Sequence, residues 1–335
     1  MKAVVCKELG PPEQLVLEEI APVEPGQGQV VVAVKACGVN FPDTLIIEGK
    51  YQFKPDLPFV PGSDVAGIVT KVGAGVTRTK VGDSVLGILG WGGFAEEAAA
   101  KESELIPLPP DLDPVTAAAF ALPYATSYYA LKDRAKLQAN ETLLVLGAAG
   151  GVGLAAVELG KVMGAKVIAA ASSDEKLAVC RRYGADETIN YDKEDFKERL
   201  KALTGGRGVD VVYDPVGGPY SEIALRNTAW EGRFLVIGFS NGAIPRIPLN
   251  LTLLKSCSIV GVFYGAFARR DPEYNMQNFQ QLLAWLNEGK LRPLISATYP
   301  LEHAADAIRC IADRKVVGKV VVIPGQNSKE IENDN

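Results

Sequence analysis

The chain has 335 residues, 47% of them hydrophobic and 22% charged, which suits a globular protein large enough for two domains. Its net charge of −5 argues against a nucleic-acid partner, since a phosphate-tracking surface needs excess basic residues, and no apolar run approaches the ~18 residues of a membrane span. Five scattered cysteines without a CxxC pair, and an N-terminus unlike a signal peptide, predict free thiols in the cytoplasm.

Residues 1–124 are rich in Val, Gly and Pro. A first strand is predicted at the N-terminus, and further strand-like runs lie at Val30–Ala36, Val65–Val72 and Ser84–Leu89. Turn signals such as Pro25-Gly26 separate these runs. This pattern predicts an irregular, mainly antiparallel β domain.

From residue 125 to residue 265 predicted strands alternate with predicted helices. The strands are Thr142–Leu146, Lys166–Ala170, Glu187–Ile189, Val209–Tyr213, Arg233–Ile237 and Ser258–Val262. The helices between them are Gly151–Met163, Glu175–Arg182, Phe196–Leu203 and Tyr220–Ala229. Strands joined by helical crossovers predict an α/β domain with a doubly wound parallel sheet.

The rest of the chain, residues 266–335, is expected to rejoin the first domain. It contains an amphipathic segment at Asn275–Asn287, a predicted helix at Leu301–Asp313 and a last strand at Gly318–Ile323. That strand lies too far along the chain to close the parallel sheet, so we expect it to pair within the β domain. Residues 326–335 are expected to form a loose polar tail.

The first strand of the central domain leads into a glycine-rich turn that opens a helix. The turn contains Gly147, Gly150, Gly151, Val152 and Gly153. Glycines let the backbone approach a pyrophosphate closely, and the helix presents free N–H groups and its positive dipole end. A lone glycine pattern is weak, but here a strand precedes it and a helix and a second strand follow. We therefore predict that these residues bind the phosphates of a dinucleotide.

The end of the second strand bears on the choice of dinucleotide. An NAD site usually has a carboxylate there, which binds the adenosine ribose 2′-hydroxyl. This chain instead has Ala171, Ser172 and Ser173, with Lys176 close behind. Two hydroxyls and an ammonium favour a 2′-phosphate, so we predict NADPH. Alternatively, the serines only cap the next helix and Lys176 is a surface lysine.

Several motifs together resemble one family over residues 1–324. They are the glycine-rich turn, Cys37-Gly-Val-Asn-Phe-Pro-Asp43, Pro61-Gly-Ser-Asp-Val-Ala-Gly67, Ile189-Asn-Tyr191 and Gly318-Lys-Val-Val-Val. The chain resembles the zinc-independent quinone oxidoreductase (zeta-crystallin-like) branch of the medium-chain dehydrogenase/reductase superfamily. The resemblance implies a Rossmann domain at residues 125–265 and a GroES-like catalytic domain formed by residues 1–124 and 266–335.

Alcohol dehydrogenases of the same superfamily bind a catalytic zinc through a cysteine, a histidine and a further ligand. At the matching positions this chain has Asn40, Ser63 and Asp64, and its single histidine is His303, predicted to lie in a C-terminal helix. No counterpart of their four-cysteine structural zinc lobe occurs between residues 82 and 109. We therefore expect no metal.

Without a Lewis acid, the expected substrate is an acceptor that is already polarised. A quinone or enone takes hydride at carbon while its oxygen takes the charge, so one hydrogen-bond donor and solvent can suffice. We expect an aromatic pocket, lined by Phe41, Tyr51, Phe94, Phe263 and Tyr264. Such a pocket fits a quinone, but also a 2-alkenal or an enoyl thioester of the acyl-CoA type. The alternative of another class is an NADPH-binding structural or RNA-associated protein with little turnover.

The resemblance also implies roles for single residues. Asn40 would lie at the nicotinamide ribose and take part in catalysis, and Tyr51 would donate a hydrogen bond to the acceptor oxygen. The cofactor would be contacted further by Thr126, Tyr191, Gly238, Phe239, Phe263 and, at the pyrophosphate, Lys319. Each of four residues has a structural alternative: Asn40 in a turn, Thr126 capping the next helix, Tyr51 in packing and Lys319 as an exposed strand lysine.

The segment from Leu253 to Tyr264 predicts how the protein assembles. It supplies the last strand of the parallel sheet, and Lys255 is its only ionised side chain. An apolar edge strand invites pairing with another chain. We predict a homodimer in which two such edges meet across a two-fold axis. The alternative is a monomer in which the segment Phe267–Tyr274 covers the edge.

Overall fold

The computed structural model describes residues 1–325, so the polar tail expected at residues 326–335 lies outside the described residues. The chain forms two compact units. Unit 1 consists of Met1–Leu122 together with the chain from Pro293 onward, and unit 2 is Pro123–Arg292.

The N-terminal part of unit 1 is built from short strands. The strands are β1 (Lys2–Val5), β2 (Val16–Glu19), β3 (Gln29–Val39), β4 (Asp64–Val72), β5 (Ser84–Ile88), β6 (Glu97–Lys101) and β7 (Leu105–Pro107). β3 is rich in β-branched residues and is buried along most of its length, which suits a central strand. Helix α1 (Phe41–Ile46) follows it directly, and the Asn40 N–H donates to Asp43 Oδ2 at 2.7 Å, which closes the first turn.

Unit 2 alternates strands and helices. A long helix α2 (Pro114–Tyr128) and a π-helical segment (Tyr129–Arg134) precede its sheet. The following elements are β8 (Thr142–Val145), α3 (Gly151–Val162), β9 (Lys166–Ala171), α4 (Asp174–Arg182), β10 (Glu187–Asn190), α5 (Phe196–Leu203), β11 (Val209–Asp214), α6 (Pro219–Arg226), β12 (Thr228–Val236), α7 (Asn250–Lys255), β13 (Ser258–Gly261), α8 (Tyr264–Arg270) and α9 (Pro272–Asn287).

The sheet of unit 2 is parallel, with the strand order β10-β9-β8-β11-β12-β13 among the described residues. The order reverses between β8 and β11, so the crossovers run in opposite directions from the middle of the sheet. In a doubly wound fold, ligands bind at the carboxyl ends of the strands beside this switch point. The predicted doubly wound sheet is thereby confirmed.

The chain then returns to unit 1 with β14 (Ile295–Pro300), α10 (Ala304–Ala312) and β15 (Lys319–Ile323). β15 pairs antiparallel with β3 and parallel with β14, in a mainly antiparallel sheet with the path β14-β15-β3-β4-β5-β7. The last strand thus joins the β domain, as predicted. No helix within residues 1–325 is long and apolar enough to cross a membrane.

The second boundary between the units lies after Arg292, later than the predicted boundary after residue 265. The reason is the packing of α8 and α9, which belongs to unit 2. The ring of Phe267 stacks on Tyr129 with centroids 4.1 Å apart, and Lys132 Nζ donates to Asn278 Oδ1 at 2.6 Å.

One predicted helix is too long. The helix predicted at Tyr220–Ala229 ends at Arg226, and β12 begins at Thr228 rather than at Arg233. Thr228 pairs with Val209 of β11, and a bulge separates this pair from the rest of the ladder. Sheet pairing therefore overrides the helical pattern of the last predicted residues.

Candidate functional site

The glycine-rich turn joins the carboxyl end of β8 to the start of α3. Gly147 has a φ of 56°, in the left-handed region that favours glycine. A Cβ atom at Gly153 would lie 2.3 Å from the Gly147 carbonyl oxygen, so the helix start packs directly on the turn. The first N–H groups of α3, beginning with those of Gly151 and Val152, have no intrahelical acceptor because they open the helix. The N-cap residue, Gly150, has no side chain that could accept them instead. This arrangement fits a pyrophosphate.

Two hydroxyls and an ammonium meet at the end of β9. Ser173 is the N-cap of α4, and its Oγ accepts the backbone N–H of Lys176 at 3.3 Å. Lys176 Nζ donates to Ser172 Oγ at 3.2 Å. Ser173 is therefore a capping residue, as the alternative interpretation held, but Lys176 lies against Ser172 rather than standing alone in solvent. The Ser173 hydroxyl also hydrogen-bonds the Glu175 carboxyl, which lowers the pKa of that group.

Tyr191 lies beside this cluster because β10 runs parallel to β9. Asn190 is opposite Ala171 in the ladder, and the Tyr191 N–H donates to the Ala171 carbonyl at 3.2 Å. The Tyr191 ring packs on Tyr220 with centroids 4.4 Å apart. The strand register thus brings Tyr191 to the same edge of the sheet as Ser172.

Lys193 is a basic residue of this region that the sequence interpretation missed. Its Nζ lies 2.7 Å from Asp174 Oδ2, and Asn190 Nδ2 donates to Asp174 Oδ1 at 2.7 Å. The hydrogen bond from Lys193 lowers the pKa of the Asp174 carboxyl. The first carboxylate after the serines is therefore held by a cation and an amide. The sequence signal was the position of Lys193, two residues after Tyr191.

Asp214 at the end of β11 shapes the next loop. Its Oδ1 accepts the N–H groups of Val216 at 2.8 Å and Gly217 at 2.9 Å, and its Oδ2 accepts the Ser221 hydroxyl at 2.6 Å. Both carboxylate oxygens are thus used to hold the turn into α6. Asp214 therefore stabilises the turn into α6.

The other predicted cofactor residues of unit 2 lie on three further elements: after β12, after β13 and in α2. Gly238 and Phe239 follow β12, and Phe263, which is 47% exposed, follows β13. They share the carboxyl edge of the sheet with the glycine turn. Thr126 lies inside α2, and the π-helical segment continues from that helix, so Thr126 caps no following helix.

Unit 1 contains a buried polar cluster formed by Asn40, Asp43, Asp64 and Lys319. Lys319 Nζ donates to Asn40 Oδ1 at 2.6 Å and to the Val39 carbonyl at 2.7 Å. Asn40 Nδ2 donates to Asp64 Oδ2 at 2.9 Å. Lys319 is only 4% exposed, so the interpretation of an exposed strand lysine is wrong.

Burial dominates the electrostatics of this cluster. It raises the pKa of Asp43 to about 7, raises the pKa of Asp64 and lowers the pKa of Lys319. The Lys319 ammonium opposes the first two shifts, because it favours the charged carboxylates. It is therefore the cation that compensates two buried acids.

The residues at the zinc-ligand positions of the alcohol dehydrogenases do not fit zinc. The side-chain amide of Asn40 is hydrogen-bonded to Lys319 and to Asp64. The Ser63 hydroxyl donates to Asp64 Oδ1 at 2.9 Å. Zinc prefers thiolate, imidazole and carboxylate ligands, and an ammonium 2.6 Å from Asn40 Oδ1 would repel it. Residues 1–325 contain no group of three His, Cys, Asp or Glu side chains that could hold a metal.

The single histidine is placed elsewhere. His303 lies at the start of α10 and is partly exposed, and its Nδ1 is 2.8 Å from Asp306 Oδ2. It is an exposed residue at the N-cap position of α10, which begins at Ala304 and so starts later than the helix predicted at Leu301–Asp313.

Tyr51 lies in the loop after α1 and packs against the apolar core of unit 1, edge-on to Phe53 at 6.0 Å between centroids. Two other residues of the expected pocket are not on an open surface. Phe94 is fully buried beside Gly62, and Tyr264 is 5% exposed and donates its hydroxyl to Asn275 Oδ1 at 3.0 Å. Phe94 has no exposed surface, so the prediction that it lines a pocket is wrong, while the same prediction for Tyr264 stays a prediction.

Comparison with known proteins covers both units. The model of the alcohol dehydrogenase GroES-like domain matches residues 26–110, and that of the zinc-binding dehydrogenase family matches residues 151–288. A quinone oxidoreductase-like protein 2 homolog from Nematostella vectensis is 44% identical over 325 residues, which span 96% of this chain and 88% of the relative. The chain belongs to the quinone oxidoreductase branch of the medium-chain dehydrogenase/reductase superfamily.

Solved structures with a similar fold support this family assignment. Quinone oxidoreductase from Escherichia coli, solved in complex with NADPH, matches with a TM-score of 0.92 and 32% identity, covering 97% of this chain and 100% of that chain. A 2-haloacrylate reductase matches with a TM-score of 0.86 and 31% identity, covering 97% and 100%. The predicted resemblance, with a GroES-like unit and a Rossmann-type unit, is confirmed.

Proposed function

We propose that this protein is an NADPH-dependent reductase that transfers hydride to a quinone or another conjugated carbonyl acceptor without a metal. The observation that carries the proposal is the cluster of Ser172, Ser173 and Lys176 beside a glycine turn suited to pyrophosphate. The Escherichia coli relative in complex with NADPH supports the same cofactor. When bound, NADPH supplies the hydride from its reduced nicotinamide ring.

The residues of the chain are proposed to bind the cofactor and to orient the acceptor. Unit 2 binds the phosphates at the start of α3 and the 2′-phosphate at the serine–lysine cluster, with Tyr191 beside it. The side chains of the buried polar cluster of unit 1 do not suit zinc, so the proposed acceptor is one whose carbonyl is already conjugated. Tyr51 is proposed to donate a hydrogen bond to the oxygen that gains negative charge. We also propose that the protein resides in the cytoplasm, where its five free thiols would stay reduced.

The test is steady-state oxidation of NADPH with quinones, 2-alkenals and crotonyl thioesters, each measured with and without a chelator. Turnover should be fastest with one acceptor class and should survive chelation. Because the 2-haloacrylate reductase fold neighbour acts on a conjugated acid, 2-haloacrylate belongs in the same panel. Tight NADPH binding without turnover of any acceptor would favour the alternative of a structural or RNA-associated NADPH-binding protein.

Tyr51→Phe should lower kcat by roughly tenfold to a hundredfold, as expected for the loss of one hydrogen-bond donor to a developing oxyanion. NADPH affinity should stay unchanged, because the hydroxyl is proposed to act on the acceptor. Stopped-flow measurement of hydride transfer and fluorescence titration of NADPH would check both. Phe53→Leu, which removes the neighbouring ring and keeps the hydroxyl, is the matched control. An unchanged kcat in Tyr51→Phe would leave Tyr51 as a packing residue.

We further propose a homodimer formed through β13. This strand ends the sheet of unit 2 in the described part of the chain. Exposed apolar side chains lie in the strand or within ten residues of it along the sequence: Leu249, Leu253, Leu254, Ile259 and Phe263. The alternative is a monomer in which the segment Phe267–Tyr274 covers this edge; the ring of Phe267 stacks on Tyr129. Two such edges would pair across a two-fold axis.

Ile259→Pro should shift the protein from dimer to monomer in sedimentation equilibrium. The Val262 N–H donates inward to the Val236 carbonyl at 3.1 Å, so by strand alternation the Ile259 N–H points away from β12. Proline is tolerated on an edge strand where its missing N–H faces outward. Val260→Pro is the control, because it should damage the sheet itself. A wild type that stays monomeric at micromolar concentration would contradict the proposed dimer.

A further inference from the structure

Two carboxylates stand beside the serine–lysine cluster. Asp174 and Glu175 follow Ser173 directly and lie in the first turn of α4. Consecutive Cα atoms are about 3.8 Å apart, so the Cα atoms of Ser172 and Asp174 lie within about 8 Å of each other. Charges at this separation are only partly screened at physiological salt. A carboxylate placed here opposes a phosphate bound at the cluster unless a cation compensates its charge.

Asp174 has a partner on each of its carboxylate oxygens. Asn190 Nδ2 donates to Oδ1 at 2.7 Å, and Lys193 Nζ donates to Oδ2 at 2.7 Å. The hydrogen bond from Lys193, and after it the one from Asn190, lowers the pKa of the Asp174 carboxyl, so this group is ionised at neutral pH. The Lys193 ammonium supplies the opposite charge. The first carboxylate after the serines is thus part of a neutral pair.

The turn after β10 sets the positions of these two partners. Asn190 ends β10, is 2% exposed and lies opposite Ala171 in the ladder. Its side-chain oxygen accepts the Asp192 N–H at 3.2 Å, which leaves the NH₂ group for Asp174. Its backbone carbonyl accepts the Lys193 N–H at 3.1 Å. The turn therefore holds both the amide donor and the lysine beside the first turn of α4.

The ion pair itself contributes little to folding. The side chains of Asp174 and Lys193 are 61% and 66% exposed, and exposed pairs of this kind have little effect on the free energy of unfolding. Their effect on a bound anion is different, because removal of one partner changes the local charge by a full unit. An uncompensated Asp174 would repel a phosphate, and it would accept a ribose hydroxyl as the acidic residue of an NAD site does.

We propose that Lys193 and Asn190 are positioning residues that keep Asp174 neutralised and thereby preserve the preference for a dinucleotide with a 2′-phosphate. Because this role rests on the proposed NADPH site, it concerns how that site discriminates against NADH. Neither Lys193 nor Asn190 is assigned a contact with the cofactor, and both act through Asp174. Charge compensation from the turn after β10 allows an acidic first turn of α4 to stand beside a bound phosphate.

Dissociation constants of NADPH and NADH for the wild type and three variants test this role. Lys193→Met should weaken NADPH binding roughly threefold to tenfold at low ionic strength and leave NADH binding unchanged or stronger. Asp174→Asn should strengthen NADPH binding by a similar factor. The variant with both changes is neutral again and should return to within about twofold of the wild type. A double variant that still binds NADPH several-fold more weakly would show that Lys193 contacts the phosphate directly, and would overturn the positioning role.

Asn190→Ala gives an independent test, because this change alters no charge. It should lower the preference for NADPH when Asp174 is present and leave it unchanged in the Asp174→Asn background. An equal effect in both backgrounds would contradict a role through Asp174.

Lys197→Met is the matched control for Lys193→Met. Lys197 is an exposed lysine paired with Glu198 in α5, and its loss should not change the ratio of the two dissociation constants. Thermal unfolding should be unchanged in Lys193→Met, because the pair is exposed, and added salt should remove the effect of this variant on NADPH binding. A loss of NADPH binding that persists in high salt would contradict an electrostatic role.

Failure of the cofactor assignment and failure of this role are distinguishable. If the wild type binds NADPH and NADH equally, the proposed cofactor site is wrong and the role of Lys193 falls with it. If the wild type prefers NADPH and Lys193→Met keeps that preference at low salt, the cofactor assignment stands and the role proposed for Lys193 is wrong.

Discussion

Replacing Gly153 by alanine should abolish tight NADPH binding and also destabilise unit 2. The added Cβ would lie 2.3 Å from the Gly147 carbonyl oxygen and 2.9 Å from Ala148 Cα, both backbone atoms that cannot rotate away. The start of α3 must therefore move off the turn. Losing two charge-assisted bonds from its N–H groups to phosphate would weaken binding more than about a hundredfold. Overpacking should lower the free energy of unfolding by about 1–3 kcal/mol.

Two neighbouring glycines give matched controls. At Gly150 the nearest atom to an added Cβ is the Gly147 carbonyl oxygen at 3.5 Å, so Gly150→Ala should change stability by less than about 1 kcal/mol yet weaken NADPH binding. At Gly160, later in α3, the Cβ would meet side-chain atoms of Leu143 and Val167, so Gly160→Ala should leave NADPH affinity unchanged. Titration and thermal unfolding measure the two effects. Wild-type affinity in Gly153→Ala would refute the phosphate site.

The sequence predicted unit 2 well because its signals are local. The bounds of α5 were predicted without error, since Asp195 caps that helix and its side chain accepts the Glu198 N–H at 3.0 Å. Buried strands such as β9 stand out as short β-branched or small apolar runs between turns. The prediction failed where a distant partner decides the structure, as where Thr228 joins a strand by pairing with Val209.

The buried polar cluster could not be predicted from the local pattern. Lys319 is a single lysine at the start of an apolar strand, a position where a lysine is commonly exposed. Its contact with Asn40 spans 279 residues of sequence and depends on the pairing of β15 with β3. The Asn40–Asp43 spacing was a local signal of a capping interaction, but it gave no sign of a buried lysine. Long-range pairing of charges needs the fold.

The wild-type protein should bind NADPH at least roughly tenfold more tightly than NADH, and Ala171→Asp should reduce this preference by about a hundredfold. Ala171 ends β9 directly before Ser172 and Ser173, opposite Asn190 of β10. A carboxylate there would face a phosphate of nearly two negative charges, which at about 5 Å costs about 3 kcal/mol even with strong screening. The same carboxylate would accept the 2′-hydroxyl of NADH, so NADH affinity should rise.

Ala171→Asn is the matched control, because it has the shape of aspartate without the charge. Ala171 is 2% exposed, so both variants must accommodate a larger side chain, and any loss of stability should be shared between them. Only the aspartate variant should lose the preference for NADPH. Added salt should narrow the wild-type preference, since screening weakens the attraction of Lys176 for the phosphate. Equal dissociation constants of NADPH and NADH for the wild type would refute the assignment of the serine–lysine cluster. An equal loss of preference in both variants would show that size, and not charge, decides which dinucleotide binds.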